Sequence, residues 1–251
     1  MKNLYLSVVI PCYNEERNIR LGALENVAHY LNKQKFNWEV LIVDDGSQDE
    51  SPDLIRKFIA EHPNFKLLTI KHQGKAAAVV AGVTNVNGDY ILFTDLDQAT
   101  PLDQIDILLP WFKKGYQVII GSRNSKRRGA PILRIAMARG FMCLRNLILN
   151  LGIKDTQCGF KAFTKEVANL IFPRLKVFGI NRNVSGSTVT AGFDVELLFI
   201  AKKLGFKIIE VPVEWHYQET RHINPLKDSW EGLLDLIRIR WNSRQGAYEN
   251  R

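Results

Sequence analysis

Two aspartates, Asp95 and Asp97, stand two residues apart just after an apolar run at 90–94. Residues i and i+2 of an extended chain project to the same side, so both carboxylates can contact one ion. Carboxylate oxygens suit Mg²⁺ or Mn²⁺ that bridges to a diphosphate. The alternative is a turn in which one aspartate caps the next helix. The position at a strand end favours a metal site.

A second acidic pair, Asp44 and Asp45, ends the apolar run at 38–44 and precedes Gly46 and Ser47. An acidic side chain at this position can accept hydrogen bonds from a base or a ribose. The same residues also fit a turn, followed by a helix that Ser51 caps. Both interpretations can hold, because the acidic pair precedes the cap.

Two more segments place polar residues after apolar runs. After the run at 5–11, Tyr13 could stack on a base and Glu15 could open a helix. Further along, Gly74 and Lys75 begin a helical pattern, and a helix N-terminus with a lysine suits an anion. The first glycine of a P-loop is absent and no GxGxxG occurs, which removes the main support for an NTPase or a dinucleotide dehydrogenase.

The elements that must position these residues alternate in type. Strands are predicted at 5–11, 38–44, 65–70, 90–94 and 117–121, and helices at 15–32, 52–61, 74–84 and 101–113. Apolar strands that alternate with helices indicate an α/β fold, with a mainly parallel sheet covered by helices on both faces. Such sheets bind ligands beyond the carboxyl ends of their strands.

The second half of the chain is less regular. An apolar helix is predicted at 133–151, and Arg134 and Arg145 lie on one line along it. One interpretation is a core helix whose arginines reach solvent, and the other is a helix that holds lipid or phosphate. A stripe from Leu226 to Trp241 predicts an amphipathic helix that packs on the sheet or on a partner, with membrane contact as the second interpretation. We therefore divide the chain into a main domain at 1–225 and a helical tail at 226–251.

The positive charge is concentrated in one block. The chain has 34 Lys and Arg against 26 Asp and Glu, a net charge of +8, and residues 107–154 contain ten basic residues and no acidic one. A block of one sign attracts phosphate, either of a nucleic acid or of a lipid headgroup. No helix-turn-helix, RNP or zinc motif accompanies it, which argues against a nucleic-acid polymer as partner.

Length and composition set the remaining limits. The 251 residues are 46% hydrophobic and 24% charged, as in ordinary globular proteins. No apolar run reaches the roughly 18 residues that span a bilayer. Three cysteines without CxxC spacing argue against a disulfide scaffold and fit a reducing compartment. We expect a cytoplasmic protein.

The segments at 7–16 (SVVIPCYNEE), 43–51 (VDDGSQDES), 72–82 (HQGKAAAVVAG) and 88–101 (GDYILFTDLDQATP) together resemble the inverting family 2 glycosyltransferases. The segments at 155–163 (DTQCGFKAF) and 193–215 are similar to the branch that contains dolichyl-phosphate β-glucosyltransferase and dolichol-phosphate mannose synthase. The resemblance runs from about residue 5 to 245 and implies a GT-A fold that binds a nucleotide-diphosphate sugar.

The resemblance also assigns roles by position. It implies that the nucleotide sugar is bound by Pro11, Tyr13, Glu15, Asp44, Lys75 and Asp95. A metal, Mg²⁺ or Mn²⁺, would be held by Asp95, Asp97 and Gln98, and the acceptor phosphate by Arg123, Arg134 and Arg139. Asp97, Arg123 and Asp155 are the expected catalytic residues.

The expected reaction is transfer of a hexose, with inversion, from UDP-glucose to a polyprenyl phosphate such as dolichyl or undecaprenyl phosphate. Within the enzyme class, GDP-mannose as donor and a non-lipid glycan as acceptor stay open. A subunit that binds nucleotide sugar without turnover and recruits a membrane partner is the rival from another class. A lipid acceptor implies a location at the cytoplasmic face of a membrane, reached through the membrane surface or an anchor protein.

Overall fold

The computed structural model describes residues 4–123, 132–178, 191–216 and 225–249; for residues 132–139, 141, 191 and 225–229 it describes the backbone only. Its strands are β1 (Tyr5–Cys12), β2 (Asn37–Asp44), β3 (Phe65–Thr69), β4 (Tyr90–Phe93), β5 (Val118–Arg123), β6 (Lys161–Thr164) and β7 (Ile208–Val213). Its helices are α1 (Glu16–Arg20), α2 (Ala23–Leu31), α3 (Ser51–Glu61), α4 (Lys75–Thr84), α5 (Ile105–Lys113), α6 (Ile132–Leu149), α7 (Lys165–Ile171), α8 (Ala191–Lys203) and α9 (Pro225–Arg244).

The described strands form one mostly parallel sheet in the order β3-β2-β1-β4-β6-β5-β7. Strand β6 is antiparallel to both of its neighbours, β4 and β5, while the other pairs are parallel. Because β6 reverses direction between β4 and β5, those two strands point the same way. The carboxyl ends of β1, β2, β4 and β5 therefore lie along one edge, and the chain that enters β6 starts from that edge.

Two apolar cores lie on opposite faces of the sheet. Successive residues of a strand point to opposite faces, so Val9 joins one core while Val8 and Ile10 join the other. Helices α4, α7, α8 and α9 cover the first face, and α2 and α5 contribute to the second. The predicted α/β fold with helices on both faces is confirmed.

The five strands predicted from sequence are confirmed to within two residues at their ends. The single helix expected at 15–32 is wrong, because the structure divides it into α1 and α2 at Gly22. Gly22 has a φ of +87°, in the left-handed region that interrupts a helix and that glycine adopts without strain. The segment expected as a helix from residue 101 begins instead with a 3₁₀ turn, Leu102–Gln104, before α5.

Ser51 does not cap α3, contrary to the expectation from sequence. It is the first residue of α3, and its hydroxyl accepts a hydrogen bond from the backbone N–H of Glu15 at 2.8 Å. The serine therefore joins the start of α3 to the chain after β1. The sequence pattern is the same in both cases, and only the tertiary approach of residues 13–16 decides between them.

Helix α9 packs on α6 and α8 and buries Leu236 and Ile239 in the first core. The predicted C-terminal helix is thus observed, but its inward face is formed by Leu236 and Ile239, while Trp230, Ile237 and Trp241 of the predicted stripe are exposed and do not pack on the sheet. The domain boundary after residue 225 stays a prediction. Among the helices that the structure describes, none combines the length and the apolar character needed to cross a bilayer.

Candidate active site

The polar residues singled out from sequence lie at the shared carboxyl edge of the sheet. Asp44 ends β2, Arg123 ends β5, and Asp95 follows β4 by two residues. The segment 155–160 reaches the same edge because it leads into the antiparallel strand β6. One edge therefore brings together groups that are far apart in sequence.

Asp45 organises the part of this edge next to β2. Its carboxylate is buried and accepts backbone hydrogen bonds from Gln73 at 2.8 Å and Gly74 at 2.7 Å. It also contacts the ring of His72, with Asp45 Oδ2 2.9 Å from Nδ1. The neighbouring Asp44, equally buried, accepts a hydrogen bond from the backbone N–H of Ser47 at 3.1 Å. The acidic pair thus fixes two loops, and Asp45 holds the turn that precedes Lys75.

Tyr13 lies against this same turn. Its ring stacks on the ring of His72, with centroids 4.1 Å apart and planes 16° apart. A base could stack only on the other side of the Tyr13 ring, because His72 covers one side. Glu15, expected at the nucleotide, accepts a hydrogen bond from the side chain of Asn18 at 2.5 Å. Pro11 lies within β1 and is partly exposed.

Asp95 and Lys75 form an ion pair, with Asp95 Oδ1 2.5 Å from Lys75 Nζ. Burial alone would lower the pKa of Lys75, but the carboxylates of Asp95 and Asp194 outweigh it and raise that pKa above the ordinary lysine value. For Asp97, burial and repulsion from Asp95 together raise the pKa above the ordinary aspartate value. The carboxylates of Asp95, Asp97 and Asp194 therefore all act on the ammonium group of Lys75.

This donor set fits a divalent cation. Two carboxylates that repel each other, as Asp95 and Asp97 do, are stabilised by a cation with oxygen preference. The part of the chain that the structure describes holds no cluster of three or more His, Cys, Asp or Glu side chains suited to a metal. The remaining ligands would have to come from a diphosphate and water. Gln98, expected as a third ligand, donates its side-chain amide to the backbone carbonyl of Asp95 at 2.9 Å.

The segment 155–160 approaches the carboxylate of Asp95 directly. A Cβ atom built on Gly159 would lie 2.0 Å from Asp95 Oδ2, closer than any real contact. Only a glycine lets the backbone approach so near. The sequence reasoning did not name Gly159, although the DTQCGF segment that contains it carried part of the resemblance.

Arg123 and Asp155 form a two-pronged ion pair on the β5 side of the edge. Arg123 Nε and Nη2 each donate to Asp155 at 2.8 Å, and the Arg123 backbone N–H adds a bond of 2.9 Å. Burial opposes both charges, but their hydrogen bonds raise the pKa of Arg123 and lower that of Asp155. The Trp215 ring lies 5.6 Å from the guanidinium carbon. Asp155 therefore orients Arg123.

Lys161 and Asp194 make a further ion pair, which the sequence analysis did not identify. Lys161 is fully buried at the start of β6, and its Nζ lies 2.6 Å from Asp194 Oδ1 and contacts the carbonyl of Cys158. The charge of Asp194 acts on both Lys75 and Arg123. This pair thus lies between the carboxylate side and the arginine side of the site, and Lys161 balances the charge of Asp194.

Two other candidate groups have different outcomes. The side chains of Arg134 and Arg139 lie outside the described residues, so their role at the acceptor phosphate stays a prediction. Arg145, which shares a line with Arg134, is buried and donates to Thr156 at 2.6 Å and to the carbonyls of Ile153 and Lys154. It holds the loop before Asp155 and does not face lipid.

Glu196 has a structural role. Its buried carboxylate accepts hydrogen bonds from the backbone N–H groups of Lys176, Val177 and Phe178, and from the hydroxyl of Tyr248 at 2.7 Å. All of these partners belong to the loop after α7 or to the end of the chain. Glu196 therefore ties α8 to its surroundings and does not point to the site.

A parallel sheet whose carboxyl edge carries paired aspartates, a lysine at a helix start and an oriented arginine is typical of a GT-A glycosyltransferase. The crystal structure of glucosyl-3-phosphoglycerate synthase from Mycobacterium tuberculosis in complex with Mn²⁺, uridine diphosphate and glucosyl-3-phosphoglycerate has the same fold. Its TM-score is 0.62 at 18% sequence identity, over 95% of this chain and 80% of that one.

The sequence comparisons narrow the class. The model of glycosyl transferase family 2 matches residues 7–172. A dolichyl-phosphate β-glucosyltransferase of Dictyostelium discoideum is 35% identical over 268 residues, covering 98% of this chain and 77% of that protein. The human dolichyl-phosphate β-glucosyltransferase is 31% identical over 261 residues, covering 97% and 77%. The chain belongs to glycosyl transferase family 2, as the sequence motifs predicted, and is a glycosyltransferase.

Proposed function

We propose that this glycosyltransferase moves glucose from UDP-glucose to a polyprenyl phosphate with inversion at the anomeric carbon. Its near full-length similarity to dolichyl-phosphate β-glucosyltransferases supports the donor and the acceptor class. The geometric observation that carries the proposal is the contact of Gly159 with Asp95. Through this contact, the segment that begins with Asp155 lies against Asp95, and Asp155 in turn binds Arg123. A diphosphate region and a cationic acceptor region therefore share one edge of the sheet.

On the donor side, Lys75, Asp95 and Asp97 surround the expected position of the diphosphate. Mg²⁺ or Mn²⁺, when bound by Asp95 and Asp97, would act as a Lewis acid that stabilises the leaving nucleoside diphosphate. Lys75 would then be free to turn its ammonium from Asp95 to a phosphate oxygen. Asp44, Tyr13, Glu15 and Pro11 would hold the nucleoside, with Asp45 keeping the turn at 72–74 in place.

On the acceptor side, Arg123 would bind the phosphate of the lipid. Its side-chain bonds to Asp155 use Nε and Nη2, and among the described residues none bonds to Nη1. An oriented guanidinium binds phosphate oxygens with defined geometry, which brings the attacking oxygen into line with the anomeric carbon. Arg134 and Arg139 would add positive charge that offsets repulsion between the two anionic substrates.

The nucleophile needs little activation. A phosphate monoester has a second pKa near 6, so at neutral pH its oxygen is largely deprotonated. A strong general base is therefore not required, in contrast to transfer onto a sugar hydroxyl. Asp194, whose Oδ1 lies 2.6 Å from the ammonium of Lys161, would accept hydrogen bonds from sugar hydroxyls through its carboxylate.

A polyprenyl phosphate acceptor places the enzyme at a membrane surface, and we propose that this is the cytoplasmic face of the membrane. Transfer of mannose from GDP-mannose is the second candidate, because the contacts described at the site do not distinguish uracil from guanine or glucose from mannose. A non-lipid glycan acceptor is the third, and the need for a base at a sugar hydroxyl disfavours it.

A two-phase assay tests the proposal. Purified protein would be incubated with polyprenyl phosphate and Mg²⁺ or Mn²⁺, and in separate reactions with labelled UDP-glucose or GDP-mannose. Label that enters the organic phase with UDP-glucose, and is lost when the metal is chelated, is the expected result. Transfer from GDP-mannose alone would reassign the donor.

Two other outcomes would contradict the proposal. Efficient glycosylation of a free sugar, without transfer to the lipid, would assign a hydroxyl acceptor. Binding of UDP-glucose without turnover on any acceptor would favour a subunit that binds nucleotide sugar and acts through a partner.

A further inference from the structure

Helix α9 carries a row of large apolar side chains on its outer surface. Trp230, Ile237 and Trp241 are 62%, 51% and 59% exposed. They are spaced by seven and four residues, close to two turns and one turn of a helix, so they lie on one line about 16 Å long. Isolated exposed apolar residues are common, but a row with two tryptophans on one helix marks an interaction surface.

The opposite face of α9 is firmly attached to the protein. Leu236 and Ile239 are buried in the core shared with α8, and Lys203 of α8 donates to Ser243 at 2.9 Å. After the helix, the buried hydroxyl of Tyr248 donates to Glu196. The fold therefore holds the outer row in place. Its exposure does not come from a helix that is only loosely attached to the protein.

Arginines flank the apolar row. On the wheel of a regular helix, Arg240 and Arg244 fall to one side of Trp241 and Arg238 falls to the other, and all three are exposed. From Ile237 to the end of α9 no exposed acidic residue interrupts them. Arg238 also donates to Asp235 at 3.1 Å, and the exposed Glu231 follows Trp230. Tryptophan between arginines is the pattern of a helix that lies in the plane of an anionic lipid surface, with indoles at the headgroup level and cations on lipid phosphates.

We infer that the outer face of α9, defined by Trp230, Ile237, Trp241 and the flanking arginines, docks the protein on an anionic membrane surface. A second copy of the chain fits less well, because two such faces would bring their arginines together. A lipid headgroup layer instead matches both the charge and the polar tip of the tryptophan rings.

The docked face is connected to the active site. The carboxylate of Asp235 on the inner side of α9 lies 3.1 Å from where a Cβ of Gly192 would be, at the start of α8 and two residues before Asp194. Docking through α9 would therefore hold the membrane at a fixed position relative to the site. The inference rests on the proposed function for its purpose, delivery of a lipid-borne acceptor, but vesicle binding can be measured without that acceptor.

The test uses the full chain and vesicles of phosphatidylcholine with and without phosphatidylglycerol, lacking any polyprenyl phosphate. We expect binding to the anionic vesicles to fall at least tenfold in Trp230→Ser/Trp241→Ser, with Leu21→Ser, another exposed apolar residue, as matched control. Arg240→Gln/Arg244→Gln should weaken it roughly thirtyfold at low salt. The matched control Lys33→Gln/Lys35→Gln removes the same charge from exposed positions after α2.

Three further measurements separate the outcomes. Brominated lipids should quench the fluorescence of the wild type and much less that of the double tryptophan variant. Equal vesicle binding by wild type and variant, or a dimer in solution that the tryptophan substitutions abolish, would overturn the inference. Transfer to a short-chain, water-soluble isoprenyl phosphate should be unchanged in the variant. If the wild type fails in that transfer while its vesicle binding still depends on the tryptophans, the proposed function fails and the docking surface stands.

Discussion

The contact between Gly159 and Asp95 allows a sharp test of how the site is assembled. In Gly159→Ala the new methyl group would meet Asp95 Oδ2 at 2.0 Å, Cγ at 2.6 Å and Oδ1 at 3.0 Å. Ordinary contact begins at 3.4 Å, so the nearer oxygen must move by about 1.4 Å. Gly159 is not among the glycines with a positive φ, so alanine at this position adds no backbone strain.

The displacement should reduce activity much more than stability. Asp95 is 37% exposed at its side chain, so its carboxylate can turn toward solvent, and we expect a loss of about 1 kcal/mol or less in unfolding free energy. This rotation of the carboxylate would break the ion pair between Asp95 and Lys75 and would move Asp95, a proposed metal ligand. A shift of roughly 1 Å in a catalytic group can lower the rate about 100-fold, which is about 2.7 kcal/mol of transition-state stabilisation.

The assay is kcat/KM for transfer from UDP-glucose to polyprenyl phosphate, together with the thermal midpoint of each protein. Gly140→Ala is the matched control, because a Cβ at Gly140 meets nothing within 4 Å. It should leave kcat/KM unchanged and leave the midpoint unchanged or slightly higher, since alanine is favoured over glycine inside a helix. Wild-type activity in Gly159→Ala with an unchanged midpoint would refute the reasoning that Asp95 must hold its position. Equal loss of activity and of fold would assign Gly159 a packing role only.

Four other predictions follow from particular contacts. Arg123→Lys keeps the positive charge but loses the guanidinium geometry. The KM for polyprenyl phosphate should therefore rise about tenfold, and the KM for the nucleotide sugar should rise much less. A larger rise in the KM for the nucleotide sugar would assign Arg123 to the donor side. The pKa of Asp97 is raised in the folded protein, so its ionised form opposes folding. Asp97→Asn should therefore raise the melting temperature of the metal-free protein at neutral pH. Calorimetry should show that this gain vanishes as the pH falls to about 4. Burial raises the pKa of Cys12 to about 12 and also raises that of Cys158. A thiol reagent should therefore label only the exposed Cys143 in the native protein, and all three thiols after unfolding. Fast labelling of two thiols in the native protein would contradict the burial of Cys12 and Cys158. Tyr248→Phe removes a hydrogen bond to the buried carboxylate of Glu196 and should lower the unfolding free energy by about 1.5–3 kcal/mol in urea titrations, whereas no change would mean that water replaces the hydroxyl.

Local sequence patterns were sufficient to predict five of the seven described strands, β1 to β5, and most of the helices, whereas β6, β7, α7 and α8 were not predicted. Apolar runs such as those of β1 and β2 have the composition of strands buried on both faces, and the polar residues that follow them lie at the binding edge for a topological reason. The motifs around Asp44, Lys75 and Asp95 were therefore recognised without coordinates. So was the family, because its motifs are short and continuous in sequence.

Only the tertiary structure decided which of these residues contact each other. The pairs Arg123 with Asp155 and Lys161 with Asp194 join positions 32 and 33 residues apart, and no periodicity links such positions. Ser51 could cap α3 or bind the backbone of Glu15, and the packing of β1 beside β2 selected the second. Gly159 has no recognisable signal of its own, since its necessity comes from an aspartate that another strand delivers.

The same division applies to charge and surface. The sequence determined that residues 107–154 are basic and that the chain ends in an amphipathic helix, because both properties belong to composition and spacing. Which of those side chains are buried required the fold: Arg145 turns inward to hold loop carbonyls, while Trp230 and Trp241 face outward. Burial depends on what packs against each helix, and that is a property of elements far away in sequence.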